Sequence, residues 1–132
     1  ISTCMPDLNI PMASPRIIYR KKVALPVRKA MEIMATDIAG VADADLGHVA
    51  RQVGLSRAHF FDLFKRDTSL TPRLFWNMLR MEEAYRRITR DNDPLVTISH
   101  NLGFRAQPQF TRFFAQNHGV PPSTYRKLAL HA

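Results

Sequence analysis

Apolar residues recur at intervals of three and four along most of the chain and nowhere alternate over a useful strand length, so the pattern predicts an all-α protein. The first run opens at Pro26, where a first-turn proline is tolerated. It carries Val27, Ala30, Met31, Ile33, Met34 and Ile38 on one face and closes at Gly40. A short second helix follows an N-cap at Asp43 or Asp45, buries Leu46, Val49 and Ala50, and stops at Gly54. Ser56 caps a third, in which Phe60, Leu63 and Phe64 share a face. From Pro72 the longest run passes through Leu74, Phe75, Met78, Leu79, Met81, Ala84, Tyr85 and Ile88 and reaches Arg90. Asn92, Asp93 and Pro94 supply stop, cap and start for a fifth helix with Leu95, Ile98 and Leu102, closed by Gly103. A sixth holds Phe110, Phe113 and Phe114 and ends near Gly119; a seventh begins at Pro121 or Pro122 and carries Tyr125 and Leu128.

The segment from Val49 has an echo in the segment from Ile98. Val49, Gly54 and Leu55 match Ile98, Gly103 and Phe104 at an offset of 49, and Phe60, Phe64, Ser69, Pro72 and Phe75 match Phe110, Phe114, Gly119, Pro122 and Tyr125 at an offset of 50. One extra residue therefore lies in the second turn. Each half is a short helix, a tight turn opened by glycine, and a second helix with an aromatic pair four residues apart. That is the layout of a helix-turn-helix, although a generic three-helix hairpin shares it. A connecting helix of ~18 residues at ~1.5 Å each separates the units by roughly 27 Å, near the ~34 Å of one B-DNA turn.

Composition and charge narrow the reading. The 132 residues suit one domain or two very small ones, and 45% hydrophobic with 23% charged residues allows a packed core. The net charge is +8 and unevenly placed: Glu32, Asp37, Asp43 and Asp45 have no Lys or Arg among them, whereas no acid follows Asp93. The C-terminal third carries Arg105, Arg112, Arg126 and Lys127, and a second cluster gathers Arg16, Arg20, Lys21, Lys22, Arg28 and Lys29. Such one-sided fields favour a polyanion, with a solvated basic surface as the plain alternative. No apolar run approaches the ~20 residues of a membrane span. The lone Cys4 excludes a disulfide scaffold and a Cys-based zinc site, and with no signal-peptide layout an intracellular, cytoplasmic setting is expected. A first residue of Ile suggests a fragment, and residues 1–24, with Pro6, Pro11 and Pro15, are expected to be an N-terminal tail or interdomain linker.

With these residues in view, the chain resembles the AraC/XylS family of bacterial transcription regulators, in its C-terminal DNA-binding domain, from about Asp45 to Lys127. The resemblance rests on VARQVGLSRAHFFDLFKR, on the linker ending RRITRDNDP, and on LGFRAQPQFTRFFAQNHGVPPSTYR, in which Gly103, Phe104, Phe110, Phe114, Gly119, Pro122, Tyr125 and Arg126 carry the signature. Ser99 stands where the family usually has Ala, and Ala106 and Pro108 replace small polar residues. The resemblance implies two homeodomain-like helix-turn-helix subdomains, residues 25–70 and 92–132, joined by a long central helix over 71–91. It further implies recognition helices at about 56–67 and 106–118, a double-stranded DNA operator, a missing N-terminal effector-binding or dimerisation domain, and contact with RNA polymerase at the nucleoid.

With Phe60, Leu63 and Phe64 facing inward, the outward positions of the first recognition helix are Arg57, Ala58, Phe61, Asp62 and Lys65; their counterparts are Gln107, Pro108, Thr111, Arg112 and Ala115. Arg112 suits guanine O6 and N7, and Gln107 suits adenine N6 and N7. Ala58 and Phe61 suit thymine methyl groups, Asp62 suits cytosine N4, and Pro108 completes the base-reading set; alternatively Phe61 packs on a neighbouring helix and Asp62 pairs with Arg66. Arg57, Lys65, Arg105, Thr111 and Arg126 are the phosphate candidates. Arg66, Arg73, Arg80, Arg86 and Arg87 are expected mostly in surface ion pairs with Asp67, Glu82, Glu83 and Asp91, and Trp76 as a buried or interdomain anchor. His48, His59, His100, His118 and His131 are scattered without ligand spacing, so neither an enzyme nor a cofactor or metal site is indicated. The competing function is a helical protein-interaction module built on Phe61 and the Met-rich helices.

Overall fold

The computed structural model describes residues 23–38, 46–90 and 92–130. These form seven helices and no strand among the described residues: α1 (Leu25–Thr36), α2 (Leu46–Gln52), α3 (Arg57–Thr68), α4 (Pro72–Arg90), α5 (Leu95–Asn101), α6 (Gln107–His118) and α7 (Pro122–Leu130). The basic cluster from Arg16 to Lys22 lies outside the described residues, as do Gly40, Asp43 and Asp45.

Two boundaries differ from those expected. The first helix ends at Thr36, well before Gly40, because Asp37 turns to φ −133°. Asp is a poor interior residue, its short polar side chain competing with the helical backbone. The fifth helix is capped by Pro94 and not by Asp93. Pro94 is itself extended, at φ −58° and ψ 146°, so the first helical residue is Leu95 and Asp93 lies one position too early to cap. Ser56 caps α3 as expected, accepting from the His59 N–H at 3.2 Å. The start of α1 has no such local cap; the carboxylate of Asp67, at the end of α3, accepts from the Ala24 N–H at 2.8 Å. That bond and the Arg66 guanidinium beside it hold the Asp67 carboxyl below its usual range.

The core divides inside α4. Val27, Ala30, Met31, Met34, Leu46, Val49, Ala50, Phe60, Phe64, Phe75, Trp76, Met78 and Leu79 form one buried cluster. Met81, Ala84, Ile88, Ile98, Leu102, Phe110 and Phe114 form the other. The N-terminal half of α4 thus belongs to the first unit and the C-terminal half to the second, with Ile38 packed against both. Leu63, expected inside with Phe60 and Phe64, is only partly buried.

Backbone geometry repeats at the offsets seen in the sequence. In the first turn the Leu55 N–H bonds the Ala50 carbonyl at 2.9 Å and the Gly54 N–H bonds Arg51 at 3.0 Å; in the second, Phe104 bonds Ser99 and Gly103 bonds His100, both at 3.0 Å. These are paired Schellman closures, and Gly54 and Gly103 take the positive φ (81° and 89°) they require. Ser69 and Gly119 end α3 and α6 in equivalent left-handed positions. The aromatic spacing repeats as well: Phe60–Phe64 at 5.7 Å and Phe64–Phe75 at 5.5 Å correspond to Phe110–Phe114 at 6.0 Å and Phe114–Tyr125 at 5.7 Å.

Candidate nucleic-acid interface

Anchoring by these buried rings fixes which residues α3 and α6 turn outward. On α3, Arg57, Ala58, Asp62 and Lys65 are exposed. Phe61 is half-buried: its edge meets Phe60 at 5.9 Å and the Arg57 guanidinium sits 4.4 Å from its ring centre. The ring expected to meet a thymine methyl is thus a packing platform that carries Arg57. The anticipated Asp62–Arg66 pair does not form, because Arg66 donates to its neighbour Asp67 at 3.0 Å. Asp62 stays on the open face without a partner among the described residues.

On α6 the five outward positions come together. Gln107, Pro108, Thr111, Arg112 and Ala115 line one open surface depression of about 510 Å³. Arg112 is exposed, and no group among the described residues engages its guanidinium. The helix starts at Gln107 behind an Ala106 cap that offers no side-chain acceptor. Gln109 substitutes for the missing cap by reaching back to accept from the Arg105 N–H at 3.0 Å, which fixes the chain entering the helix. Pro108 sits in the first turn, where its absent N–H costs nothing. Ser99 is fully buried, and its hydroxyl donates to the Val96 carbonyl at 2.7 Å, so the replacement of Ala introduces no unsatisfied group.

Arg126, expected on a phosphate, is engaged internally: it donates through Nε to the Ile88 carbonyl at 3.2 Å and through Nη1 to the Asp93 carbonyl at 2.8 Å. The guanidinium clamps α7 onto the end of α4 and the loop beyond it. A fork of donors meets carbonyls left free at a helix end, where a cation is also favoured by the dipole. Arg80 departs further from its expected surface pair. It is 9% exposed and lies over the rings of Trp76, Phe104 and Phe113 at 3.9, 4.2 and 4.6 Å. Arg86 and Arg87 do pair with Glu83, holding its carboxyl below the usual range, Arg87 at 2.9 Å. Trp76 is a buried anchor whose indole donates to the Ile38 carbonyl at 3.2 Å.

His118, one of the scattered histidines, is the last residue of α6. Its Nδ1 lies 2.6 Å from the Tyr85 hydroxyl, and Tyr85, Phe114, His118 and Tyr125 form a ring cluster under α6. Burial holds the imidazole below its ordinary pKa. Among the described residues no three His, Cys, Asp or Glu side chains are grouped to hold a metal.

Two helix-turn-helix units whose second helices stand on aromatic pairs, carried by one shared helix, define a bipartite DNA-binding domain. A helix-turn-helix domain family model matches residues 49–128, and the chain belongs to the AraC-type family of such domains, whose named members are transcription regulators and not enzymes. It is 38% identical over 69 residues to an uncharacterized transcriptional regulator, YobQ, of Bacillus subtilis; the match takes in 52% of this chain and 29% of that protein. The DNA-binding domain of the transcriptional factor AdpA, solved in complex with a target DNA, superposes with a TM-score of 0.72 at 19% identity, over 80% of this chain and 93% of that one. An AraC-type regulator from Chromobacterium violaceum gives 0.68 at 23% identity, over 79% and 91%.

Proposed function

We propose that the domain recognises a specific double-stranded DNA operator by laying α3 and α6 in successive major grooves, and so controls transcription. The observation that carries this reading is the outward face of α6. Its five counterpart residues surround one depression, and Arg112 is exposed there without a partner among the described residues. Arg112 reads guanine and Gln107 adenine; Pro108 shapes the start of the helix against the groove floor. On α3, Ala58 and Asp62 face the bases, with Phe61 holding Arg57 toward the backbone. Arg57, Lys65, Arg105 and Thr111 bind phosphates, which sets register without reading sequence.

An accompanying effector-binding or dimerisation domain is supported by the small share, 29%, of YobQ that the match takes in. RNA polymerase is the protein contact such a regulator needs, and the nucleoid in the cytoplasm is where it works; no described helix is long and apolar enough to cross a membrane.

The test is affinity for a preferred duplex followed across salt. Phosphate binding must weaken steeply, by roughly 0.9 log units per log unit of salt for each neutralised phosphate. A protein-interaction module on α3 and α6 would show no such slope. Arg112→Ala is expected to cost about 1–3 kcal/mol and to relax preference at one base pair; an unchanged preference would overturn the assignment of Arg112.

A further inference from the structure

The seam between the two cores falls at one residue. The first cluster ends at Leu79 and the second begins at Met81, with Arg80 between them on the buried side of α4. Its guanidinium touches the first core through Trp76 and the second through Phe104 and Phe113. Those partners are informative. Trp76 is tied to the first unit through the Ile38 carbonyl. Phe104 follows the Gly103 turn of the second unit, and Phe113 lies on α6 beside Arg112.

Among the described residues no carboxylate neutralises this cation. One Nη donates to Asn77 Oδ1 at 3.0 Å, and Nε is buried with no acceptor. Burial, with Arg73 nearby, lowers the guanidinium to about 10, so the arrangement costs stability although the group stays charged at neutral pH. In some proteins a buried charge whose net energetic yield is poor serves to specify one arrangement. A flat, delocalised cation lying over rings of both units suits that role, because it holds them in one geometry; an ammonium, being a point charge on a flexible stem, does not.

We propose that Arg80 is a positioning residue that fixes the phase between the two recognition helices and so determines the half-element spacing the domain accepts. This rests on the DNA reading above, but its structural part is measurable without DNA. Spin labels at the exposed positions Gln52 and Gln116, in a Cys4→Ser background, report the distance between the units. The wild type should give one narrow distribution. Arg80→Met, which keeps the volume, should give one at least about twice as wide while folding as well as the wild type, and Arg80→Lys one between them. An unchanged width in both variants overturns the proposal; should Arg80→Met fail to fold, Arg80→Lys alone decides.

The second readout uses duplexes with one or two base pairs inserted between the half-elements. The wild type should lose about tenfold per insertion, as for a mismatched contact, and the Arg80 variants distinctly less, with affinity for an isolated half-element unchanged. Equal losses in wild type and variants overturn the proposal. Failure of the wild type to prefer any duplex would sink the DNA reading, and the label distances would still judge Arg80.

Discussion

In the first unit α3 turns a charged set outward, Arg57, Asp62, Lys65 and Arg66, over a core closed by α1; in the second, α6 turns out Gln107, Pro108, Thr111 and Arg112 over a smaller, ring-rich core closed by the C-terminal half of α4, where Met81, Ala84 and Ile88 stand for Met31, Met34 and Ile38. Beneath both lies one backbone, with the same turn closures and the same spacing of buried rings. Geometry is thus carried by a few repeated positions, while every outward position has changed. On the proposed function, a domain built this way would read two unlike half-elements in one fixed frame.

The comparison breaks most visibly at the rings. Phe64→Ala and Phe114→Ala, both fully buried, should each cost about 3–5 kcal/mol in denaturant unfolding. Two resolved transitions for Phe114→Ala, the first unit melting at its normal midpoint, would show that the smaller core fails alone. Arg126→Ala should cost about 1.5–3 kcal/mol, since it strips charged donors from the Ile88 and Asp93 carbonyls. Because that clamp is internal, the salt slope of DNA binding should not change; a slope lowered by about one would restore Arg126 to the phosphates.

The helix ends sharpen the contrast. At Gly119, φ is 107° and open space surrounds the Cα, so Gly119→Ala should cost about 1–2 kcal/mol through the backbone alone. Ser69 holds the equivalent position at φ 65°, and Ser69→Gly should stabilise the first unit by up to about 1 kcal/mol. Thermal unfolding of the two variants checks that opposite sign.

Acid should separate the units without a mutation. The His118 imidazole is held below 6.5 by burial, so the unfolded chain takes up protons first. Second-unit stability is whole above about pH 6.5 and falls as pH drops from there through the lowered folded value. Asp67 is a carboxylate held below 3.8, so its contribution to the first unit is present above that value and is lost only at still lower pH. Glu83, also held low, behaves like Asp67 and belongs to the shared helix. Amide exchange measured between pH 7 and 5 should therefore loosen α6 and α7 before α1 and α3; simultaneous loosening would contradict the His118 assignment.

Much of this arrangement was legible in the residues, for identifiable reasons. The aromatic pairs and turn glycines are local signals, and their repetition pointed to the helices, the tight glycine turns and the outward face of α6. What stayed hidden depended on distant partners or on backbone. Arg126 answers to two carbonyls, which carry no sequence signature, so a surface phosphate role looked equally good. Arg80 answers to Trp76, Phe104 and Phe113, two of them in another unit; its place on the apolar stripe, four residues after Trp76 and four before Ala84, was the available clue. Tyr85 and His118 meet across 33 positions, a pairing that helical periodicity does not reveal.

The most direct test of two unlike readers in one fixed frame is selection of bound duplexes from a random pool. The winners should share a bipartite motif, its halves different in sequence and centred about one helical turn, ~10 base pairs, apart. A single compact element, two identical halves, or enrichment without any motif would contradict it.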